Sequence, residues 1–232
     1  MKVLCTICAR GNSQGIKNKN IKKINGSPLI KYTIDHAIKS KLFEDILVST
    51  DDKRIVSLSK KFGIKNIVDR PRRLASNSAG KLSSIKHALK SLEVQLDKKY
   101  DVVIDLDVTS PLRNISDIFK AYEIFTKHKA STLLSATPSR KNPYFNQVHK
   151  TKKGIRLVRP GKKYYRRQDA PKVYDLNASI YIFRRSSLVK SNTIYTNNSF
   201  IYLMPEERSI DIDNMSDFHY VEYLMKKQKK TP

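Results

Sequence analysis

Val3-Leu4-Cys5-Thr6-Ile7-Cys8 runs directly into Ala9-Arg10-Gly11-Asn12-Ser13-Gln14-Gly15-Ile16-Lys17-Asn18-Lys19-Asn20. The first segment lacks the polar alternation of a half-solvated strand, so residues 3–9 predict a strand covered on both faces. Residues 10–26 then read as a loop rich in Gly, Asn and Lys. Its first two glycines, Gly11 and Gly15, let backbone approach a phosphate or base closely, and Arg10 and Lys19 can neutralise a triphosphate. The loop is neither G-x-x-x-x-G-K-[ST] nor G-x-G-x-x-G. Its place does the deciding: open parallel sheets bind ligands at the carboxyl ends of their strands.

Outward from this stretch, strands and helices alternate. Pro28 fits the first turn of a helix reaching about Lys41, with Leu29, Ile30, Ile34, Ala37 and Ile38 on one face. A short strand at 46–49 precedes Asp51 or Asp52, either able to cap a helix ending near Gly63. Ile67-Val68 opens another extended piece. Helical periodicity over 83–96 leads to a second buried strand at 102–106, a helix at 116–128 and a strand at 132–136. From 139 to 172 the alternation gives way to short, basic, Pro-containing segments. Strands at 179–183 and 209–212 and a helix at 216–227 follow. The pattern predicts an α/β, Rossmann-like fold, a mostly parallel sheet with helices on both faces. Residues 1–232 form a single domain, and 139–172 make an excursion from its sheet.

The 232 residues, 39% of them hydrophobic, suffice for one sizeable core. No run approaches the roughly 18–20 apolar residues of a membrane span, and no signal-peptide core opens the chain, so the expectation is a cytoplasmic protein without a membrane partner. The formal charge of +25 invites a nucleic-acid reading. Basic residues recur along the whole chain without a stripe or a recognisable module, so a lysine-rich solvated surface explains it, and no nucleic-acid partner is expected. Cys5 and Cys8 have C-x-x-C spacing. On a strand, however, their α-carbons would lie roughly 10 Å apart, too far for a disulfide, and no second pair could complete a zinc site.

The loop 9–20 resembles the A-R-G-x-S-x-G-x-x-x-K-N signature of the acylneuraminate cytidylyltransferases, the CMP-sialic acid synthetase family, which is related to the CMP-Kdo synthetases. Four further blocks fit in order: Val48-Ser49-Thr50-Asp51-Asp52, Thr109-Ser110-Pro111-Leu112-Arg113, Arg166-Arg167-Gln168-Asp169 and Ser209-Ile210-Asp211-Ile212-Asp213. The matches run from residue 2 to about 222. The resemblance implies transfer of CMP from CTP to an acidic nonulosonic sugar, pyrophosphate release, Mg2+ as cofactor and a homodimer whose 139–172 excursion reaches the neighbour's site.

The same resemblance implies the site. Arg10 and Lys19 would stabilise phosphates, with Gly11 and Asn20 beside the nucleotide. Arg70 and Ser78 fall on nucleotide-pocket positions, where a surface Arg and a capping Ser are the plain alternatives. Arg167, with Arg166, would assist transfer or grip the sugar acid, as a guanidinium fork suits a carboxylate. Asn177 and Tyr181 would line the sugar pocket, although Tyr181 also suits a packed strand. Asp211 and Asp213, two apart on the expected strand, would face one way and hold magnesium, with Asp211 also counted among the catalytic residues. Asp217 reads instead as a first-turn helix acid.

Departures from the family bear on the sugar more than on the reaction. Asp107 stands where sialate enzymes have Gln, and it suits either the metal cluster or the cytosine amino group. Gln14 replaces a common lysine, a charge that Lys17 or Lys81 could restore. Asn177-Ala178-Ser179 replaces Asn-Gly-Ala, and 142–146 differs on the sugar side. Legionaminate, pseudaminate, Kdn and Kdo are therefore alternative sugars. A sugar-1-phosphate nucleotidylyltransferase shares the first loop but not the Arg166–Asp169 and Asp-Ile-Asp blocks. A non-catalytic paralogue and a basic nucleic-acid-binding protein are the remoter readings.

Overall fold

The computed structural model describes residues 1–76, 79–161 and 164–230. Strand β1 (Val3–Cys8) lies in the interior of a seven-stranded sheet and is buried along nearly its whole length. After it come the hairpin β2 (Lys23–Ile24) and β3 (Ser27–Pro28), helix α1 (Leu29–Ser40), β4 (Asp45–Thr50), α2 (Lys53–Lys61), β5 (Asn66–Asp69) and α3 (Arg72–Ala75). Helix α4 (Lys81–Gln95) leads to β6 (Val102–Leu106), α5 (Ile115–Lys127) and β7 (Thr132–Pro138). Within the excursion β8 (Val148–Thr151) and β9 (Gly154–Leu157) pair as a separate antiparallel ribbon. Strand β10 (Tyr174–Arg184), α6 (Arg185–Lys190), β11 (Ser199–Leu203) and α7 (Met215–Lys230) complete the order.

The sheet order is β11-β7-β10-β6-β1-β4-β5. β1 runs parallel to β4 and β6, β4 to β5, and β7 to β11, while β10 runs against both β6 and β7. The expected α/β, Rossmann-like, mostly parallel sheet is thus present, and helices cover both faces. Ile30, Ile34 and Ala37 of α1, Ile118 and Phe125 of α5, and Phe218 and Val221 of α7 pack on one face. Ile85, Leu89 and Leu92 of α4 and Leu188 of α6 pack on the other. Burying strands from both sides explains why β1 and β6 read as continuous apolar runs.

Local signals set the element ends. The Asp52 carboxylate accepts the Arg54 N–H at 2.7 Å and starts α2. Asn114 and Asp117 form a reciprocal capping box at α5. On α1, Leu29, Ile30, Ile34 and Ala37 are buried, but Ile38 is 41% exposed, one position past the buried stripe. Cys5 and Cys8 are free thiols on β1, both pushed up in pKa mainly by burial.

Two expectations need correction. Residues 209–212 are not a strand: the segment is irregular and is held by the Ile212 N–H donating to the Thr109 carbonyl at 3.0 Å. The late strand begins at Tyr174 rather than 179, and its pairing with β7 shifts register between Leu176 and Tyr181. Ala178, with φ of 54°, sits in that irregularity. A left-handed alanine there fits the glycine found in the family pattern.

Candidate active site

The carboxyl ends of β1, β4 and β6 open onto a crevice whose walls are the 9–20 loop, residues 70–76 and 79–81, and residues 107–113. The loop is seated by backbone. Ala9 N–H donates to Ser49 O at 3.0 Å, Gly11 N–H to Asp51 Oδ1 at 2.8 Å, and the Asn20 amide to Arg10 O at 2.8 Å. A Cβ on Gly11 would stand 2.8 Å from both Cβ and Oδ2 of Asp52. A Cβ on Gly15 would stand 1.8 Å from the Asp213 carbonyl oxygen. The first loop and the late Asp-Ile-Asp segment therefore touch at a point where only glycine fits.

Lys19 ties these pieces further. It is nearly buried, donates through Nζ to the Ile212 carbonyl, and lies 3.5 Å from Asp213 Oδ1. Arg10 donates to the Ser76 carbonyl at 2.9 Å. Arg70 is buried, with its guanidinium on Ser49 O at 2.8 Å and Ser49 Oγ at 3.3 Å, which removes the surface-Arg reading. Arg10, Arg70, Lys81 and Asp107 line one cavity of about 270 Å³ together with Cys8, Leu74, Ser76, Ala79 and Ser84. Ser78 lies outside the described residues.

Asp107, just past β6, is already engaged. Its Oδ1 accepts from Thr109 N–H at 3.1 Å and Thr109 Oγ1 at 2.8 Å, and its Oδ2 from Lys81 Nζ at 2.6 Å. Burial pushes its carboxyl up, but the Lys81 ammonium and the Thr109 bonds outweigh that and hold it well below the usual range. Asp211 is the opposite case. Burial, then the nearby Asp107 charge, pushes it up to about 6, and its Oδ1 is buried without a hydrogen-bond partner. Asp213 keeps its side chain 76% exposed. The expected trio of metal carboxylates is not assembled: among the described residues no three His, Cys, Asp or Glu side chains are placed to hold a metal together. Since Asp211 and Asp213 sit on an irregular segment, the shared strand face assumed for them does not exist.

This arrangement suits an anionic, phosphate-bearing ligand: Arg10, Lys19, Arg70 and Lys81, a glycine-seated loop and an orphaned carboxylate at a strand-end crevice. The chain matches the cytidylyltransferase family over residues 4–230. It belongs to that family. It is 42% identical over 231 residues to the CMP-N,N'-diacetyllegionaminic acid synthase of Campylobacter jejuni, covering 100% of this chain and 98% of the relative. To post-translational flagellin modification protein B of Campylobacter coli it is 40% identical, covering 98% and 96%. To a pseudaminic acid cytidylyltransferase of Campylobacter jejuni it is 31% identical, covering 97% of each. The solved CMP:2-keto-3-deoxy-manno-octonic acid synthetase complexed with CTP shares the fold, with a TM-score of 0.71 at 16% identity, covering 98% of this chain and 100% of that one.

In this cytidylyltransferase the remaining sequence candidates are distributed unevenly. Asn177 is buried with its amide committed: Ser135 Oγ donates to its Oδ1 at 2.6 Å, and its Nδ2 donates to Ser209 Oγ at 3.0 Å. It builds the β10 irregularity rather than lining an open pocket. Tyr181 is the packed alternative, 7% exposed, with Lys81 Nζ 4.7 Å from its ring centroid. Arg166 and Arg167 are exposed. The former pairs with Asp169 at 2.9 Å, and the latter donates to Ser139 O at 3.0 Å. Arg167 lines a second cavity of about 560 Å³ with Pro138, Asn142, Gln168 and Leu203, none of which borders the first. Asp217 accepts from the Asp213 and Asn214 N–H groups as a first-turn acid.

Two polar residues, Arg113 and Thr109, had no role assigned from the sequence, and Lys81 was read only as a replacement for the charge missing at Gln14. Arg113 is buried, with burial lowering it to about 10, and it braces the Asp107 and Ser179 carbonyls at 3.2 and 2.7 Å. Thr109 positions both Asp107 and Ile212. Lys81 reaches Asp105 Oδ2 at 3.1 Å besides Asp107. A lysine in the first turn of a helix opposes the macrodipole, and that was the available signal.

Proposed function

We propose that this cytidylyltransferase transfers CMP from CTP to a nine-carbon acidic sugar of the legionaminate type, with sialate and pseudaminate as weaker substrates. The 42% identity to the C. jejuni CMP-N,N'-diacetyllegionaminic acid synthase over essentially both chains carries this reading, against 31% for the pseudaminate enzyme. In the reaction a sugar hydroxyl oxygen bonds to the α-phosphorus, the bond from that phosphorus to the bridging oxygen breaks, the hydroxyl proton is lost, and pyrophosphate leaves. Arg10 and Lys19 offset the charge that develops on the phosphates. Gly11 and Asn20 keep the loop seated, and Arg70 borders the nucleotide. Asp107, with three acceptor positions filled, offers its remaining lone pair to the nucleotide.

Asp211 suits a divalent cation, since a buried carboxylate oxygen without a partner beside another acid is relieved by one. Magnesium commonly takes one or two protein carboxylates and completes its shell with phosphate oxygens and water, so Asp211 and Asp213 suffice without a third acid. When bound, Mg2+ would polarise the α-phosphate and lower the pKa of the attacking hydroxyl.

The exposed Arg166 and Arg167 act on the sugar acid from the partner subunit of a homodimer. Supporting this, the excursion carries apolar side chains in solvent: Tyr165 is 86% exposed, Ile155 71% and Val148 52%. No described helix is long and apolar enough to cross a membrane, which is compatible with a cytoplasmic enzyme. The test is pyrophosphate release from CTP and magnesium with a panel of nonulosonic acids. The reading expects the highest kcat/KM with N,N'-diacetyllegionaminate, and a clear preference for sialate, or no release with any acid, contradicts it.

A further inference from the structure

Lys81 is the first residue of α4, and its ammonium stands between two acids of β6 and its exit. Nζ lies 2.6 Å from Asp107 Oδ2, 3.1 Å from Asp105 Oδ2 and 3.0 Å from the Ala178 carbonyl. The Lys81 ammonium donates to Asp107 Oδ2 and the Ala178 carbonyl, and Asp105 Oδ2, which accepts no hydrogen bond, completes the ion-pair cluster. It is therefore not the free cation that would replace the lysine missing at Gln14. The acids are just as constrained. Asp105 is fully buried and its other oxygen accepts Thr6 Oγ1 at 2.8 Å, while Asp107 Oδ1 takes two bonds from Thr109. One acceptor position of Asp107, on the oxygen that Lys81 grips, is left for the cavity that Arg10 and Arg70 also line. The Tyr181 ring below Nζ and the Ala178 carbonyl in the β10 irregularity fix the ammonium from the other side.

The geometry points to Lys81 as a positioning residue for nucleotide binding. It clamps Asp107 so that its one unused acceptor position faces the cytidylyl site, and it makes no substrate contact itself. This rests on the proposed reading that the cavity receives CTP. Two features distinguish the role from general packing. The clamp is ionic, so charge matters and not only volume, and its effect passes through Asp107.

Removing Lys81 alone strands two carboxylates, one of them fully buried, and endangers folding. The test therefore uses an Asp105→Asn background, checked for an unchanged melting transition on adding Lys81→Ala. Relative to that background, Lys81→Ala should lower kcat/KM for CTP about 30-fold and weaken CTP binding by calorimetry, with the KM for the sugar within about threefold. Propylammonium should restore about tenfold or more of the loss through the truncated side chain's space, and neutral butanol should not. In the same Asp105→Asn background, adding Lys81→Ala to Asp107→Asn should cost little more than Asp107→Asn itself. Retention of kcat/KM within threefold, equal rescue by butanol, or additive losses with Asp107→Asn would each overturn the assignment. A wild-type enzyme that releases no pyrophosphate from CTP fails the functional reading instead, and calorimetric CTP binding then still tests Lys81.

Discussion

The strand-end crevice and the 139–172 excursion are built on opposite terms. In the crevice nearly every functional side chain is held by another part of the chain: Lys19 by 212–213, Arg70 by Ser49, Asp107 by Lys81 and Thr109. In the excursion Arg166 bonds within its own turn, Arg167 holds only a nearby carbonyl, and apolar side chains face solvent. The first region is organised before substrate arrives, which is what electrostatic stabilisation of a phosphoryl transition state requires. The second exposes apolar side chains that the proposed homodimer would cover. A single chain thus carries both halves of the proposed site without bringing them together.

The sharpest way to break this contrast is Asp211→Ala. It removes a crevice carboxylate that has a buried oxygen without a hydrogen-bond partner, and cytidylyl transfer should fall by about 10³-fold or more. Substantial turnover in that variant, measured as pyrophosphate, would sink the metal assignment. Next comes Gly15→Ala, whose Cβ meets the Asp213 carbonyl. Activity should drop about 100-fold while the melting transition persists, because the loop and the Asp-Ile-Asp segment cannot both stay seated. Gly80→Ala, with nothing within 4 Å of its Cβ, should change activity less than about twofold. Equal losses in the two variants would show that the contact is incidental.

Asp107→Asn separates two roles that the sequence left open. With its carboxylate engaged by Lys81 and Thr109, the expected result is CTP binding weakened about 30-fold or more at an unchanged magnesium requirement. A raised magnesium requirement with normal CTP binding would return Asp107 to the metal. The smallest effect concerns pH. Asp211 is pushed up to about 6 from its ordinary value near 3.8, first by burial and then by Asp107. Its raised folded pKa means the folded, metal-free protein holds more protons than the unfolded chain between those values. Ionisation there therefore opposes folding at neutral pH, and that penalty is relieved as pH falls through 6. The proposed cation needs the ionised form, so the magnesium concentration for half-maximal activity should rise several-fold from pH 7 to about pH 5.5. A flat magnesium requirement over that range would count against Asp211 as a ligand.

Much of this organisation was legible in the residues. β1 and β6 are buried on both faces, so their apolar runs had one sensible reading, and Asp52 capped the helix assigned to it. What misled was alternation without a sheet. Ile210 and Ile212 turn inward from an irregular tether, with Ile212 fully buried, and that mimics a strand's two-residue period. β11 failed in the opposite sense: its burial alternates, but the exposed positions Ile201 and Leu203 are apolar, so the sequence shows no alternation of polarity. β8 and β9 have no core beneath them and thus no pattern to read. In the site, the glycine-bearing loop after β1 followed from local sequence, whereas the seating of Lys19 on Ile212 and Asp213, 193 and 194 positions away, did not. Nor did the Lys81–Asp105–Asp107 clamp, because its partners lie 24 and 26 positions apart and meet only once β6 and α4 are in place.

The contrast between a finished crevice and an unfinished excursion is tested most directly by mixing subunits. Arg167→Ala and Lys19→Ala proteins should each be nearly inactive, with CTP binding retained in the first. If Arg167 serves the neighbour's crevice, a mixed dimer holds one intact site of its two. Random exchange at equal concentrations should then recover about one quarter of wild-type activity. Mixtures that stay as inactive as their parents, with exchange verified, would place Arg167 and Lys19 in the same chain's site and contradict the account.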